Sequence, residues 1–266
     1  MLVPRKVVIS FYSGSRGGTG KTTLAVNTAI ALLMALRVPV AYVDFGVDGT
    51  HMGSLMLSAK TDTVGVTDYL MGFVDNDEVI QRSGLIDGLY VVPPGTVDSI
   101  RMIHSMPRGL RPVIERLGSL VTRLAEHRAY VVIMDLPSGL AQPYTIASLV
   151  NSDIVNVVLD HSPGALEALT SIGTVLNVVR PRVVNAVLNK YIPNAQPSLR
   201  EKVEGFVSNG GVFTLSMSVV LHYLTSQLKP FIKYKPVGDL REFMKDFTRF
   251  MGALKTQVKQ VLGGVL

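Results

Sequence analysis

The residues with the most chemical meaning lie near the start of the chain, in Ser13-Gly14-Ser15-Arg16-Gly17-Gly18-Thr19-Gly20-Lys21-Thr22-Thr23. A loop that brings several backbone N–H groups onto a polyphosphate cannot carry Cβ atoms at the points of closest approach, which is the physical use of Gly17, Gly18 and Gly20. Lys21 adds a point charge for the β- and γ-phosphates, and the positive end of a helix beginning near Lys21 faces the same anions. The Thr22 hydroxyl is suited to ligating Mg²⁺. A second group belongs to the same chemistry. Asp135 ends an apolar run, and a carboxylate placed there beside a phosphate loop orients Mg²⁺ or its water ligands. Gly139, in the turn that follows, leaves room for that turn to sense the γ-phosphate.

The elements that must hold these groups can be read from hydrophobic period. Lys6–Tyr12, Val38–Val43, Leu89–Val92, Tyr130–Met134, Ile154–Leu159 and Val183–Leu188 are short runs that are apolar on successive residues, the pattern of strands buried on both faces. Helical spacing fills the stretches Thr22–Leu36, Val113–His127, Pro163–Val179 and Asp239 to about Leu262. Strand and helix alternate, which predicts an α/β fold, doubly wound, with a mainly parallel sheet and helices on both faces. Pro193–Pro197 and Ser208–Gly211 read as loops inside one domain spanning residues 1–266.

Composition narrows the class. The chain has 266 residues, 47% of them hydrophobic and 17% charged, so it has enough apolar side chain to bury a core and is neither disordered nor fibrous. No apolar run reaches the roughly 18 residues of a membrane span, the longest candidate being Leu24–Leu36, interrupted by Asn27 and Thr28. Met1–Ser10 lacks a signal peptide's long apolar region and reads as a first strand, so the expectation is a soluble cytoplasmic protein. With no cysteine there are no disulfides, thiolate metal sites, iron–sulfur clusters or cysteine nucleophiles. A formal net charge of +6 favours anionic partners without saying which. His51, His104, His127, His161 and His222 show no metal-ligand spacing.

The loop departs from G-x-x-x-x-G-K-[ST] by placing Ser15 where the first glycine belongs, and it resembles the deviant phosphate-binding loop K-G-G-x-G-K-T-T of the MinD/ParA family of dimerising ATPases. The resemblance runs through nearly the whole chain. Thr67-Asp68-Tyr69-Leu70-Met71-Gly72 is similar to the family's short D-x-L-x-G helix, Gly88–Gly95 to its G-L-x-V-x-P-x-G strand, and Val131–Gly139 to its Walker B strand with the D-x-P-x-G turn. Asp153-Ile154-Val155 and Val187-Leu188-Asn189-Lys190 match further strands, and the spacing is nearest to MinD.

That resemblance implies ATP and Mg²⁺ as ligands, bound through Gly17, Gly18, Thr19, Gly20, Lys21, Thr22 and Thr23, with Thr22 and Asp135 serving the metal. It also implies a homodimer in the ATP state, because Arg16 stands where the family has a lysine that reaches the partner's phosphates. Arginine keeps the charge and adds a planar fork, with a different reach. Asn189 resembles the family's adenine-contacting asparagine. The family's D-x-D is broken here: Asp44 matches the first acid, Gly46 occupies the position of the second, which positions the attacking water, and Asp48 is the nearby carboxylate that could replace it. Catalysis is therefore expected to involve Lys21, Arg16, Asp44 and Asp48, with hydrolysis less secure than ATP binding. Ser216 stands where a base-contacting proline is usual. The absent cysteines remove nitrogenase-type, cluster-carrier, arsenite-pump and glutamine-amidotransferase relatives.

What remains is an ATP-dependent switch that organises cargo on DNA or an anionic membrane and answers to a protein activator. The competing class is an ATP-binding regulatory or scaffold protein without useful turnover. In the last helix Phe247, Phe250, Leu254, Val258 and Val261 form an apolar stripe, with Arg241, Lys245, Arg249, Lys255 and Lys259 opposite. The stripe serves either the core or a membrane surface, the core being the commoner use.

Overall fold

In the computed structural model, which describes residues 5–47, 51–104, 109–139, 142–162, 164–193 and 197–263, the apolar runs form strands and the 3.6-period stretches form helices. In chain order the elements are β1 (Val7–Tyr12), α1 (Lys21–Leu36), β2 (Val40–Asp44), α2 (Met52–Met56), α3 (Val66–Met71), β3 (Gln81–Arg82), β4 (Leu89–Val92), α4 (Val97–Ile103) and α5 (Leu110–Glu126). There follow β5 (Val131–Asp135), α6 (Pro143–Val150), β6 (Ile154–Leu159), α7 (Gly164–Val179), β7 (Val183–Tyr191), α8 (Pro197–Glu204), β8 (Val212–Ser216), α9 (Val219–Ser226) and α10 (Leu240–Val261).

The strands make one eight-stranded sheet in the order β3-β4-β2-β5-β1-β6-β7-β8. Every pairing is parallel except β3 with β4. This is the predicted doubly wound α/β sheet. The chain leaves β1 towards β2 on one side and later crosses from β5 to β6 on the other, so the switch point lies at β1, where ligands of open α/β sheets bind. Core residues of α3 to α7 cover one face and those of α1, α2, α9 and α10 the other.

Two differences from the sequence reading matter for function. β7 runs past Leu188 to Tyr191, because its register with β8 slips between those two residues and Lys190 takes a positive φ of 55°. This is a β-bulge, which re-aims the side chains at its edge. The short helices α2, α4, α6, α8 and α9 carry one or two turns each, too little sequence for a period to show.

The stripe of α10 is core. Phe243, Phe247, Phe250, Leu254 and Val258 are fully buried, and the Phe231 ring meets Phe243 and Phe247 edge-on with centroids 5.1 and 4.9 Å apart. Gln257 adds a polar clamp: its Oε1 accepts from Asn185 Nδ2 and its Nε2 donates to Asn185 Oδ1, both at 2.9 Å. Among the described residues no helix is long and apolar enough to cross a membrane. Leu254→Ala should therefore cost about 2–5 kcal/mol of unfolding free energy in a denaturant titration, as a buried leucine does, whereas a stripe held for lipid would leave stability nearly unchanged.

Candidate functional site

The loop between β1 and α1 is shaped by what happens to its carbonyls. Ser13 Oγ and Ser138 Oγ both donate to Arg16 O, at 2.5 and 3.0 Å. Lys190 Nζ donates to Gly18 O at 2.7 Å, Asn189 Nδ2 to Thr19 O at 2.8 Å, and Gly139 N to Gly14 O at 2.8 Å. Each bond gives a loop carbonyl a donor. A glycine-rich loop whose carbonyls are engaged in this way has peptide N–H groups to offer an anion, which is how a chain becomes an anion nest. Gly18 and Gly20 reach this path with φ of 71° and 91°, and a Cβ on Gly20 would lie 2.3 Å from Asn189 Nδ2. A Cβ on Gly18 would meet no protein atom within 4 Å, so the space there is left to the ligand. Gly20 caps α1, whose first residue is Lys21. Lys21 is buried, with Nζ 3.4 Å from Ser138 Oγ, and the helix's positive end adds to its charge.

Opposite the nest stand two buried carboxylates. Asp44 and Asp135 end β2 and β5 and are register partners. Asp44 Oδ2 accepts from Ser54 N and Oγ at 2.8 and 2.7 Å, and its Oδ1 from Gly46 N at 3.0 Å, so both of its oxygens are engaged. Burial pushes its pKa up against those bonds. Asp135 Oδ2 accepts from Tyr42 OH at 2.9 Å, a bond that depends on Gly53, where a Cβ would lie 1.9 Å from the tyrosine oxygen. Its Oδ1 is buried without a hydrogen-bond partner; the Thr22 hydroxyl is near enough to lower the carboxyl's pKa yet completes no bond to it. Burial, and then the charge of Asp44, raise the Asp135 pKa to about 7, with Lys21 pulling the other way. A buried oxygen lacking a donor, beside a hydroxyl at the mouth of an anion nest, is the donor set that a hard divalent cation takes. Mg²⁺ held through Thr22 and Asp135 would neutralise phosphate charge there.

These groups line one cleft of about 680 Å³ that runs from Asp44, Phe45 and Asp135 across Gly17, Gly18 and Gly20–Thr23 to Asn189, Lys190 and Ser216–Ser218. It brings together Gly17, Gly18, Gly20, Lys21, Thr22, Thr23, Asp44, Asp135 and Asn189 from the sequence reading. Thr19 is buried behind the loop, its hydroxyl without a partner. Asn189 spends its Nδ2 on the loop and keeps a buried, unpartnered Oδ1. Arg16 lies against α7, where a Cβ on Gly164 would be 2.9 Å from its Nη1, and its Nε is buried with no hydrogen bond. Gly46 edges the cleft, with Asp44 Oδ1 3.0 Å from the position of a Cβ. Asp48 lies outside the described residues. Sequence reasoning missed Ser54, Tyr42 and Lys190: a serine on a one-turn helix and a tyrosine inside a strand carry no signal of their own, while Lys190 is marked only by following Asn189.

Residues 6–190 match the AAA_31 family of AAA domains. An uncharacterized ATP-binding protein of Methanocaldococcus jannaschii is 24% identical over 190 residues, which are 71% of this chain and 66% of that protein, just under two thirds of its length. Among solved structures, the fold is shared with a putative plasmid partition protein of Borrelia burgdorferi bound to AMPPNP, at a TM-score of 0.74 and 15% identity over 96% of this chain and 100% of that one. It is also shared with the septum site-determining protein MinD of Pyrococcus horikoshii in complex with Mg-ADP, at a TM-score of 0.71 and 21% identity over 94% of this chain and 98% of that one. The chain therefore belongs to the AAA_31 family and has the fold of MinD and of the plasmid partition protein.

Proposed function

We propose that this protein binds Mg-ATP in the cleft, dimerises in the ATP state and hydrolyses ATP slowly, as a switch that positions cargo on an anionic surface. The observation that carries the reading is the glycine-rich loop whose carbonyls are engaged by neighbouring groups, with Lys21 and the start of α1 on the same cleft. The partition protein bound to AMPPNP and MinD bound to Mg-ADP support a nucleotide in this position. Lys21 holds phosphate charge, Thr22 and Asp135 hold the metal, and Mg²⁺ when bound would stabilise negative charge on the transferring group.

Arg16 supports the dimer. Its Nε has no partner, and its guanidinium rests beside the first residue of α7, the end where a cation is least favoured. Swinging out to the phosphates of a second protomer gives up little. With the α10 stripe in the core, the attraction to a surface is left to the basic face, which favours DNA over a bilayer. The protein activator and cargo follow from the family alone. The proposed setting is cytoplasmic, with peripheral attachment to the nucleoid.

A second reading, nucleotide binding without useful turnover, is favoured by one observation. Both oxygens of Asp44 are engaged, and Gly46 offers no carboxylate, so among the described residues the water-orienting acid of the family pattern has no evident substitute. Steady-state phosphate release separates the readings: turnover that vanishes in Lys21→Ala supports the switch, and tight ATP binding without turnover supports the second. If Asp48 supplies the missing carboxylate, Asp48→Ala should lower turnover roughly 10²-fold and leave ATP affinity nearly intact.

Light scattering should show a doubling of mass with Mg-ATP and none with ADP, and Arg16→Ala should abolish the doubling. An unchanged mass in saturating ATP would remove the dimer. The Asp135 pKa of about 7 predicts a pH dependence of opposite sign for two quantities. The folded state holds this proton more tightly than the unfolded chain, so the ligand-free protein should lose stability as pH rises from about 4 to about 7. Mg²⁺ needs the carboxylate, so Mg-ATP affinity should rise across the upper part of that window, and Asp135→Asn should flatten both profiles.

A further inference from the structure

The sheet order gives the cleft a direction. Asp44 and Asp135 end β2 and β5 on one side of β1, while Asn189 and Ser216–Ser218 lie on β7, on β8 and just past it, on the other side. If a nucleotide sets its phosphates on the loop and the metal at Asp135, its sugar and base extend towards β7 and β8, where Met217, Leu221 and Thr225 line the wall.

That wall hangs from the edge of the sheet. Among the described residues β8 pairs only with β7, and the register between them slips at the bulge. Just beyond β8, Met217 N still donates to Tyr191 O of β7 at 3.1 Å, and the residues on either side of it are fastened to α10 and its cap. Ser216 N and Ser216 Oγ both donate to Asp246 Oδ2, at 3.1 and 2.6 Å, and Asp246 is 8% exposed. Seven residues earlier, on the same face, Asp239 accepts from Ser218 Oγ at 2.8 Å, from Val219 N at 2.6 Å and from Val220 N at 3.3 Å. Met217, 53% exposed and lining the cleft, is carried between these two anchors. A buried carboxylate is costly unless its bonds are made: Asp246 Oδ1 accepts from Arg249 Nη1 at 3.2 Å on its own helix, and its Oδ2 takes both of its bonds from one residue of the cleft wall.

We infer that Asp246 is a positioning residue for the nucleoside end of the cleft: by accepting both the N–H and the O–H of Ser216 it fixes the path of Ser216–Ser218, and with it the surface that meets the base. The inference rests on the nucleotide reading above. Ordering this segment before the ligand arrives removes an entropic cost from binding, and the gain falls on the base, not on the phosphates, which have their own nest.

The test compares Mg-ATP with Mg-GTP by calorimetry in the full-length protein. The wild type should prefer ATP. Asp246→Ala should lower ATP affinity by about tenfold and GTP affinity much less, so that the preference collapses. Ser216→Ala, which keeps the amide bond and loses only the hydroxyl, should give a smaller loss in the same direction. Ser216→Pro in the Asp246→Ala background should restore much of the preference, because proline removes the amide that needs a partner and restrains the backbone covalently. The Ser216 N–H points to α10 instead of β7, so that proline breaks no bond of the sheet. Unchanged preference in Asp246→Ala overturns the inference, as does a wild type that binds both nucleotides equally. Equal losses of ATP and GTP in both Asp246→Ala and Ser216→Ala would show a merely structural role and overturn it as well. If the wild type binds neither nucleotide, the reading of the cleft falls, and this inference with it.

Discussion

The hydrogen bonding of the carbonyls in the loop after β1 is the constraint on which the rest of the site depends. A peptide unit cannot present its N–H to one side without sending its C=O to the other, and a carbonyl sent into protein must find a donor. Here the donors come from three separate places: the loop's own Ser13, the turn after β5 through Ser138 and Gly139, and the bulge of β7 through Asn189 and Lys190. The loop conformation is thus a property of the ends of β1, β5 and β7 brought to one edge of the sheet, and the parallel order is the device that brings them there. Glycine permits the path; tertiary hydrogen bonds select it.

Against this concentration of donors the fold sets two buried acids. Asp44 and Asp135 face each other at the ends of adjacent strands, and their proximity contributes to raising the Asp135 pKa. The pair is resolved unequally. Both oxygens of Asp44 accept bonds from Ser54 or Gly46; Asp135 keeps one oxygen without a partner. An arrangement that is poorly satisfied without a cation and well satisfied with one couples metal binding to the electrostatics of the strand ends. Tyr42, held in place by the absence of a side chain at Gly53, keeps the unpartnered oxygen aimed at Thr22 by fixing the other.

The last helix shows how one pattern admits two uses. Its phenylalanine and leucine stripe, read alone, suits a lipid surface or a sheet equally well. In the fold it is buried against α1 and the sheet, and the same helix turns Asp239 and Asp246 towards the segment that closes the far end of the cleft. A helix remote from the glycine-rich loop in sequence thereby anchors one wall of the cleft.

The sequence by itself determined the parallel α/β order and the glycine-rich loop between β1 and α1, because both are written in local pattern: apolar runs of strand length, helical period between them, and glycines at fixed offsets before Lys21 and Thr22. It also placed Asp135 at a strand end and exposed the missing carboxylate at Gly46. Only the tertiary structure decided which groups are spent and which remain available. That Asn189 gives its amide to Thr19, that both oxygens of Asp44 are taken, that Arg16 lies against α7, and that Asp246 holds Ser216 are facts about residues far apart in the chain. Hydrogen bonds between strand ends leave no periodicity in a sequence, because each depends on how two elements pack and not on what precedes or follows either residue.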